Sequence, residues 1–128
     1  MAHEAMLAKT PVVASQIYRI ASEKNAQQAA DEYRATLQTC FRLAPGDVPR
    51  FDLILLGMGP DGHTASLFPG TTALHERTQL VAAPWVSKFN TFRITMTVPV
   101  LCHAANVIFA AGGADKAATL KQVLRGEY

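Results

Sequence analysis

The segment that most restricts the fold is a short apolar run, Phe51-Asp52-Leu53-Ile54-Leu55-Leu56, bounded by Pro49 and Gly57. A run this short and this nearly continuous in apolar character reads as a strand buried on both faces, the kind that parallel sheets use. A glycine-rich loop follows it directly, Gly57-Met58-Gly59-Pro60-Asp61-Gly62, and then His63-Thr64-Ala65-Ser66-Leu67. In open α/β sheets the loops at the carboxyl ends of strands are where ligands bind. The sequence therefore predicts both a sheet and the end of that sheet at which chemistry belongs.

The rest of the chain alternates in the same manner. Residues 2–8 are good helix formers, without a capping residue ahead of them, and residues 16–20 (QIYRI) read as a short strand. Asn25 opens the clearest helix, with Gln28 at capping-box spacing. Ala26, Ala29, Ala30, Tyr33, Leu37, Cys40 and Phe41 form its apolar stripe, and Pro45 and Gly46 end it. Further strands are expected at 79–85, 92–98 and 106–111. In 92–98, Ile94, Met96 and Val98 face one way and Arg93, Thr95 and Thr97 the other. Pro99 suits the first turn of a short helix, and a last helix spans 114–125 with Gly126 as its C′ residue. The fold class is thus α/β: one domain over 1–128, a mostly parallel, Rossmann-like sheet with flanking helices.

Composition excludes several functions. Hydrophobic residues make up 49% and charged residues 17%, enough for a core and too apolar for a disordered chain. A net charge of +2, with no basic cluster, gives no footprint for nucleic acid. No apolar run approaches the roughly 18 residues that a membrane helix needs. The N-terminal MAHEAMLAKT lacks the regions of a signal peptide. Cys40 and Cys102 sit in apolar-periodic settings and are expected to be buried, reduced thiols, which fits a cytoplasmic protein.

Residues 57–62 match the G-x-G-x-x-G pattern of dinucleotide sites. Two features argue against that reading. Pro60 stands inside the turn, and no carboxylate appears about 20 positions on, where Val81 to Trp85 lie. The alternative is a catalytic loop. A histidine flanked by glycines is a natural general base at neutral pH, and Asp61 can orient its ring. His63 and Asp61 are the catalytic candidates. Gly59, Gly62 and Thr64 are candidates for substrate contact.

The stretch FDLILLGMGPDGHTASLFPG, Phe51 to Gly70, resembles the signature of the 6-phosphogluconolactonases, relatives of the glucosamine-6-phosphate deaminases. RITMTVPVL (Arg93 to Leu101) and GGADKAATLKQVLRG (Gly112 to Gly126) resemble two further segments of that family in the same order. The resemblance implies hydrolysis of 6-phospho-D-glucono-1,5-lactone to 6-phosphogluconate in the pentose phosphate pathway. No metal and no organic cofactor is implied. His63 would take a proton from the attacking water and return it to the ring oxygen. Backbone N–H groups of the glycine turn would steady the oxyanion. Lys116, in the first turn of the last helix, opposes the helix dipole unless an anion sits there, and the family pattern makes it a phosphate ligand. Without that ligand it is a surface lysine offset by Asp115. Arg93 either contacts substrate or caps the polar face of the sheet. His75, His103 and Trp85 are expected to be structural or surface residues.

Two rival readings remain. In the deaminases the Gly-His pair is followed by an Ile-Ala-Phe-Asn-Glu type sequence; here Thr64 to Pro69 contain no carboxylate. The other rival is a non-catalytic sugar-phosphate-binding remnant. Members of the family are longer, with a Gly-Gly-Ser/Thr-Pro loop and an Asp-Glu-Arg segment that have no counterpart here. The chain is therefore expected to be an incomplete fold, truncated at both ends relative to the family. It should have little lactonase activity alone, and it should self-associate through an exposed sheet edge, pair with the missing half, or be unstable.

Overall fold

A computed structural model describes residues 2–126. Its helices are α1 (Ala2–Ala5), α2 (Ala26–Phe41), α3 (Val98–Cys102) and α4 (Ala117–Arg125). Its strands are β1 (Ile54–Gly57), β2 (Val81–Ala82), β3 (Trp85–Val86), β4 (Thr91–Phe92), β5 (Thr95–Met96) and β6 (Val107–Ala110). β1 and β6 pair in parallel, with Ile54 opposite Val107 and Gly57 opposite Ala110. This pair, with α3 between its strands in the chain and α4 after them, is the expected α/β unit. The two other pairs are antiparallel and short: β2 with β5, and β3 with β4.

Helix α2 starts where its sequence predicts. The Asn25 side chain accepts from the N–H groups of Gln27 and Gln28, satisfying two of the free donors of the first turn. The reciprocal arm of a capping box is missing, because the Gln28 amide donates instead to Glu32. Ala29, Ala30 and Leu37 are buried and Tyr33 and Phe41 partly so. Arg42, in the left-handed region at φ +53°, ends the helix. Leu37 and Ala30 pack with Leu80, Val81 and the fully buried Val100, so this cluster joins α2 to β2 and α3. A second cluster gathers Ile54, Leu67, Ala73 and Leu101.

Several expectations are corrected. Residues 16–20 are not a strand: a 3₁₀ turn ends at Gln16, and no strand pairs with 17–20 among the described residues. Alternating apolar residues become a strand only beside a partner. The expected strand 79–85 breaks at Pro84, which has no N–H to give, and its carbonyl accepts from Arg93 instead. The expected strand 92–98 likewise divides at Arg93 and Ile94. Its polar face is the buried one: Thr95 and Thr97 are both inside, each with its hydroxyl bonded to a backbone carbonyl. Gly126 follows α4 with φ −73°, so it is no left-handed cap. Cys40 and Cys102 are free as expected but exposed. Cys40 stands one position off the stripe that Leu37 and Phe41 define, and Cys102 follows Leu101, the last inward residue of α3.

The largest departure concerns β1 and β6. Neither is buried on both faces. Leu55 is 62% exposed, its partner Ile108 52% and Phe109 59%. Ile54 is covered because α3 and Leu67 lie over its side of the pair. Leu55 and Ile108 on the opposite face stay exposed, and so does Phe109 of β6 on the same face as Ile54.

Leu37→Ala should lower unfolding free energy by about 2–5 kcal/mol, the usual cost of a leucine cavity in a packed cluster. Urea or thermal unfolding followed by circular dichroism measures it, with the exposed Leu124 as a near-neutral comparison.

Candidate active site

The loop after β1 is held at both ends. At its start the Thr64 hydroxyl donates to the Gly57 carbonyl at 2.8 Å. At its exit Leu67 and Phe68 are buried, and the Ser66 N–H donates to the Thr95 hydroxyl at 3.2 Å. Inside, the Gly62 N–H donates to the Gly59 carbonyl (3.0 Å) and the Gly59 N–H to the His63 carbonyl (2.8 Å). Pro60 supplies the fixed φ such a turn favours, and Gly62 takes a φ of +81° that L side chains resist. Ala65, at φ +50°, carries local backbone strain two residues beyond His63.

This closed turn brings Asp61 and His63 together. Asp61 Oδ1 contacts Nδ1 of the His63 ring in a short hydrogen bond. A carboxylate only accepts, so Nδ1 carries the proton and Nε2 keeps its lone pair. Nε2 has no partner among the described residues. The His63 side chain is 19% exposed and borders an open cleft of about 370 Å³ with Leu55, Leu56, Gly57, Met58, Gly59 and Ala65. The ring also lies on that of Phe68, with centroids 4.0 Å apart. A base with one nitrogen fixed and the other open to a cleft has the geometry for taking a proton from bound water.

The Asp61 carboxylate has a second partner. Lys88 Nζ donates to Oδ2 at 2.8 Å. The Lys88 ammonium first, and the His63 ring second, hold the Asp61 carboxyl well below the usual carboxylate range against the opposing effect of desolvation. Asp61 therefore stays ionised across the neutral range and keeps accepting from Nδ1.

Of the other predicted site residues, Gly59 proves essential to the geometry. A Cβ there would run into the His63 ring and meet Asp61 Oδ1 at 3.0 Å. Gly62 is needed for its φ. The backbone N–H groups of both glycines are engaged inside the loop, so they are not the free oxyanion donors expected of them. The Thr64 hydroxyl proton is likewise engaged, which makes this residue a staple of the loop. Lys116 ends the 3₁₀ turn Ala114–Lys116 that leads into α4. Its ammonium has no hydrogen bond or ion pair among the described residues. One turn on, Thr119 donates from its hydroxyl to the Pro60 carbonyl at 2.7 Å, which fastens α4 to the loop. Arg93 does not touch His63. Its guanidinium lies over Phe89, 5.0 Å from the centroid, and Phe89 packs edge-on against Phe68 at 5.4 Å. His103 is structural, its Nδ1 3.0 Å from the Val48 carbonyl, and His75 is exposed. Trp85 packs on Phe92 at the hairpin.

Lys88, Phe68, Phe89 and Thr95 were not signalled by sequence patterns. Lys88 lies 27 residues beyond Asp61, on the tip of the β3–β4 hairpin, where a lone lysine reads as surface. Only the fold of that hairpin against the loop reveals it. Among the described residues, no three His, Cys, Asp or Glu side chains gather as a metal site would require.

The fold and loop define an α/β protein with a histidine–carboxylate site at the carboxyl end of a parallel strand. The model of the family described as glucosamine-6-phosphate isomerases/6-phosphogluconolactonase matches residues 1–128, and the chain belongs to that family. It is 45% identical over 124 residues to the 6-phosphogluconolactonase of Rattus norvegicus, covering 95% of this chain and 47% of the relative. It is 42% identical to that of Nostoc sp., covering 96% and 51%. Among solved structures, a devB protein superposes with TM-score 0.85 at 32% identity, covering 97% of this chain and 51% of the other. The 6-phosphogluconolactonase of Leishmania guyanensis superposes with TM-score 0.79 at 28% identity, covering 98% and 55%. The chain thus spans about half the length of the relatives it matches.

Gly59→Ala should drive the imidazole off Asp61 and destabilise the fold by about 1–3 kcal/mol, as overpacking does. The expected signature is loss of the downfield Nδ1 proton resonance of His63. Gly57→Ala, whose Cβ would meet nothing within 4 Å, should keep it.

Proposed function

We propose that this chain carries the catalytic loop for hydrolysis of 6-phospho-D-glucono-1,5-lactone to 6-phosphogluconate, a step of the pentose phosphate pathway. The observation that carries the proposal is the Asp61–His63 pair with Nε2 open to a cleft, in a chain whose relatives include proteins named 6-phosphogluconolactonase. Water in the cleft gives a proton to Nε2 as its oxygen bonds to the lactone carbonyl carbon. The resulting tetrahedral oxyanion collapses, the bond to the ring oxygen breaks, and the ring oxygen takes the proton back from Nε2. Asp61 stays ionised and steadies the imidazolium between these steps. A lactone is an activated ester. A positioned base worth about 10²–10⁴-fold is a sufficient share of the acceleration.

Lys116 is the proposed phosphate ligand. Its ammonium has no partner among the described residues, and Thr119, on the same side one turn later, is tied to the loop. Arg93, held over Phe89, is proposed as a secondary contact for the anionic end of the substrate. A cytoplasmic setting belongs to the same proposal, since two exposed free thiols suit a reducing compartment. No helix among the described residues is long and apolar enough to cross a membrane.

The deciding experiment follows lactone hydrolysis directly, above its spontaneous rate. Weak turnover is expected, all of it lost in His63→Asn, and Lys116→Met should raise KM about tenfold or more with a smaller change in kcat. Turnover that survives His63→Asn sinks the assignment of the base. Ammonia release from glucosamine 6-phosphate would favour the deaminase reading instead. Binding of 6-phosphogluconate without any turnover would favour the binding remnant.

Self-association is a separate part of the proposal. Leu55 and Ile108 form an apolar patch on one face of a two-stranded sheet, and Phe109 is exposed on the other, the kind of surface that pairs with another chain. Sedimentation velocity should find dimers or larger species at micromolar concentration, shifted towards monomer by Ile108→Lys. A purely monomeric wild-type chain would rule this out.

A further inference from the structure

The tip of the β3–β4 hairpin has no part in the reaction as described, yet it reaches the Asp61–His63 pair by two routes, one direct and one through Phe68. It is a 3₁₀ turn, Ser87–Phe89, closed by Asn90 in the left-handed region at φ +48°. From this turn two neighbouring residues reach the loop. Lys88 bonds to Asp61 Oδ2 at 2.8 Å. Phe89 packs edge-on against Phe68, the ring that carries the His63 imidazole. Phe68 is buried and Phe89 is part-covered by the Lys88 and Arg93 cations, 5.6 and 5.0 Å from its centroid.

We propose that this hairpin tip is a positioning clamp, in which Lys88 fixes the Asp61 carboxylate so that His63 keeps its proton on Nδ1, while Phe89 fixes the plane of the imidazole through Phe68. The electrostatic half follows from the two oxygens of one carboxylate. With Lys88 on Oδ2, rotation about the Asp61 side chain would break a charge-assisted bond, so Oδ1 stays on Nδ1. Without Lys88 the 29%-exposed carboxylate is free to turn to water, and the imidazole is free to move its proton to Nε2. In that tautomer the nitrogen facing the cleft is a donor and no longer a base. Exposure of the Lys88 side chain, at 54%, makes the ion pair a weak contributor to stability, but its effect here is directional. The charged and titratable groups that face the ring are Asp61 from its own loop, Lys88 from the hairpin, and Arg93 at one ring's remove. The aromatic half is separate: Phe89 has no contact with Asp61 and acts only on ring orientation.

The inference rests on His63 being the base, but its test needs no turnover. Long-range proton–nitrogen NMR on the labelled chain at neutral pH reads which His63 nitrogen is protonated, with His63→Asn giving the assignment. The wild-type ring should be mainly Nδ1–H. Lys88→Met and Lys88→Gln should each lower the ratio of Nδ1–H to Nε2–H by about 3–10-fold, the scale of a weakened charge-assisted hydrogen bond. Lys88→Arg should restore it. Phe89→Leu should leave that ratio unchanged while weakening the upfield ring-current shift of the His63 protons. An unchanged tautomer ratio in Lys88→Met and Lys88→Gln, with the core signals of Thr97 and Val100 in place, overturns the electrostatic half. An unchanged ring-current shift in Phe89→Leu overturns the aromatic half. A clamp that passes this test in a chain with no lactonase activity would count against the proposed reaction and not against the clamp.

Discussion

A loop can hold a base in place only if both of its ends are fixed, and here one apolar cluster fixes both. Ile54, in the strand that leads into the loop, and Leu67, at the loop's exit, pack with Ala73 and Leu101. The residues between them have little freedom left. The Thr64 hydroxyl on the Gly57 carbonyl and the Ser66 N–H on Thr95 remove most of the remainder. Burial of a leucine-sized side chain is worth about 1.5–3 kcal/mol. Anchors of this kind are therefore strong enough to hold a positive φ at Ala65 and a closed glycine turn, neither of which the loop would adopt alone. The strain at Ala65 lies beside His63, and packing away from His63 supports it.

Within that frame the chemistry depends on how one carboxylate is shared. Asp61 is a short side chain, placed by the turn so that one oxygen meets His63 and the other meets Lys88. The lysine on the opposite oxygen keeps the carboxylate ionised and directed without competing for the nitrogen. The division also explains why Gly59 has no side chain. The space where its Cβ would stand is taken by the His63 ring, so the tightness of the turn and the shortness of the Asp61–His63 contact are one requirement.

Much of this was legible in the sequence where local chemistry decides. The Asn25 cap, the helix 26–41, the strand–loop junction at Gly57, and the Asp61–His63 pair all depend on residues within a few positions of each other. That β1 and β6 are strands was legible too, because both are apolar runs in an alternating chain, but their pairing with each other was not. What the sequence hid is long-range. Thr95 and Thr97 look like a solvated face, because alternation cannot tell which side of a strand is covered; in the structure they bond inward to carbonyls. Lys88 looks like surface until the hairpin folds over the loop. The glycine N–H groups look free until the turn closes on itself. Residues 16–20 fail as a strand for the converse reason: the pattern is present and the partner is not.

The exposed face of β1 and β6 bears on the site as well as on the fold. Leu55 is exposed and also borders the cleft beside His63. A wall formed by an uncovered strand leaves water on one side of the base. Electrostatic stabilisation of an oxyanion weakens steeply as water enters, because the effective dielectric rises. A cover over Leu55 and Ile108 would thus bury apolar surface and, by the same step, dry the cleft that Nε2 of His63 faces. Asp61, Lys88 and Phe68 hold the His63 ring from within this chain, whereas the dryness of the cleft it borders depends on what lies against that face.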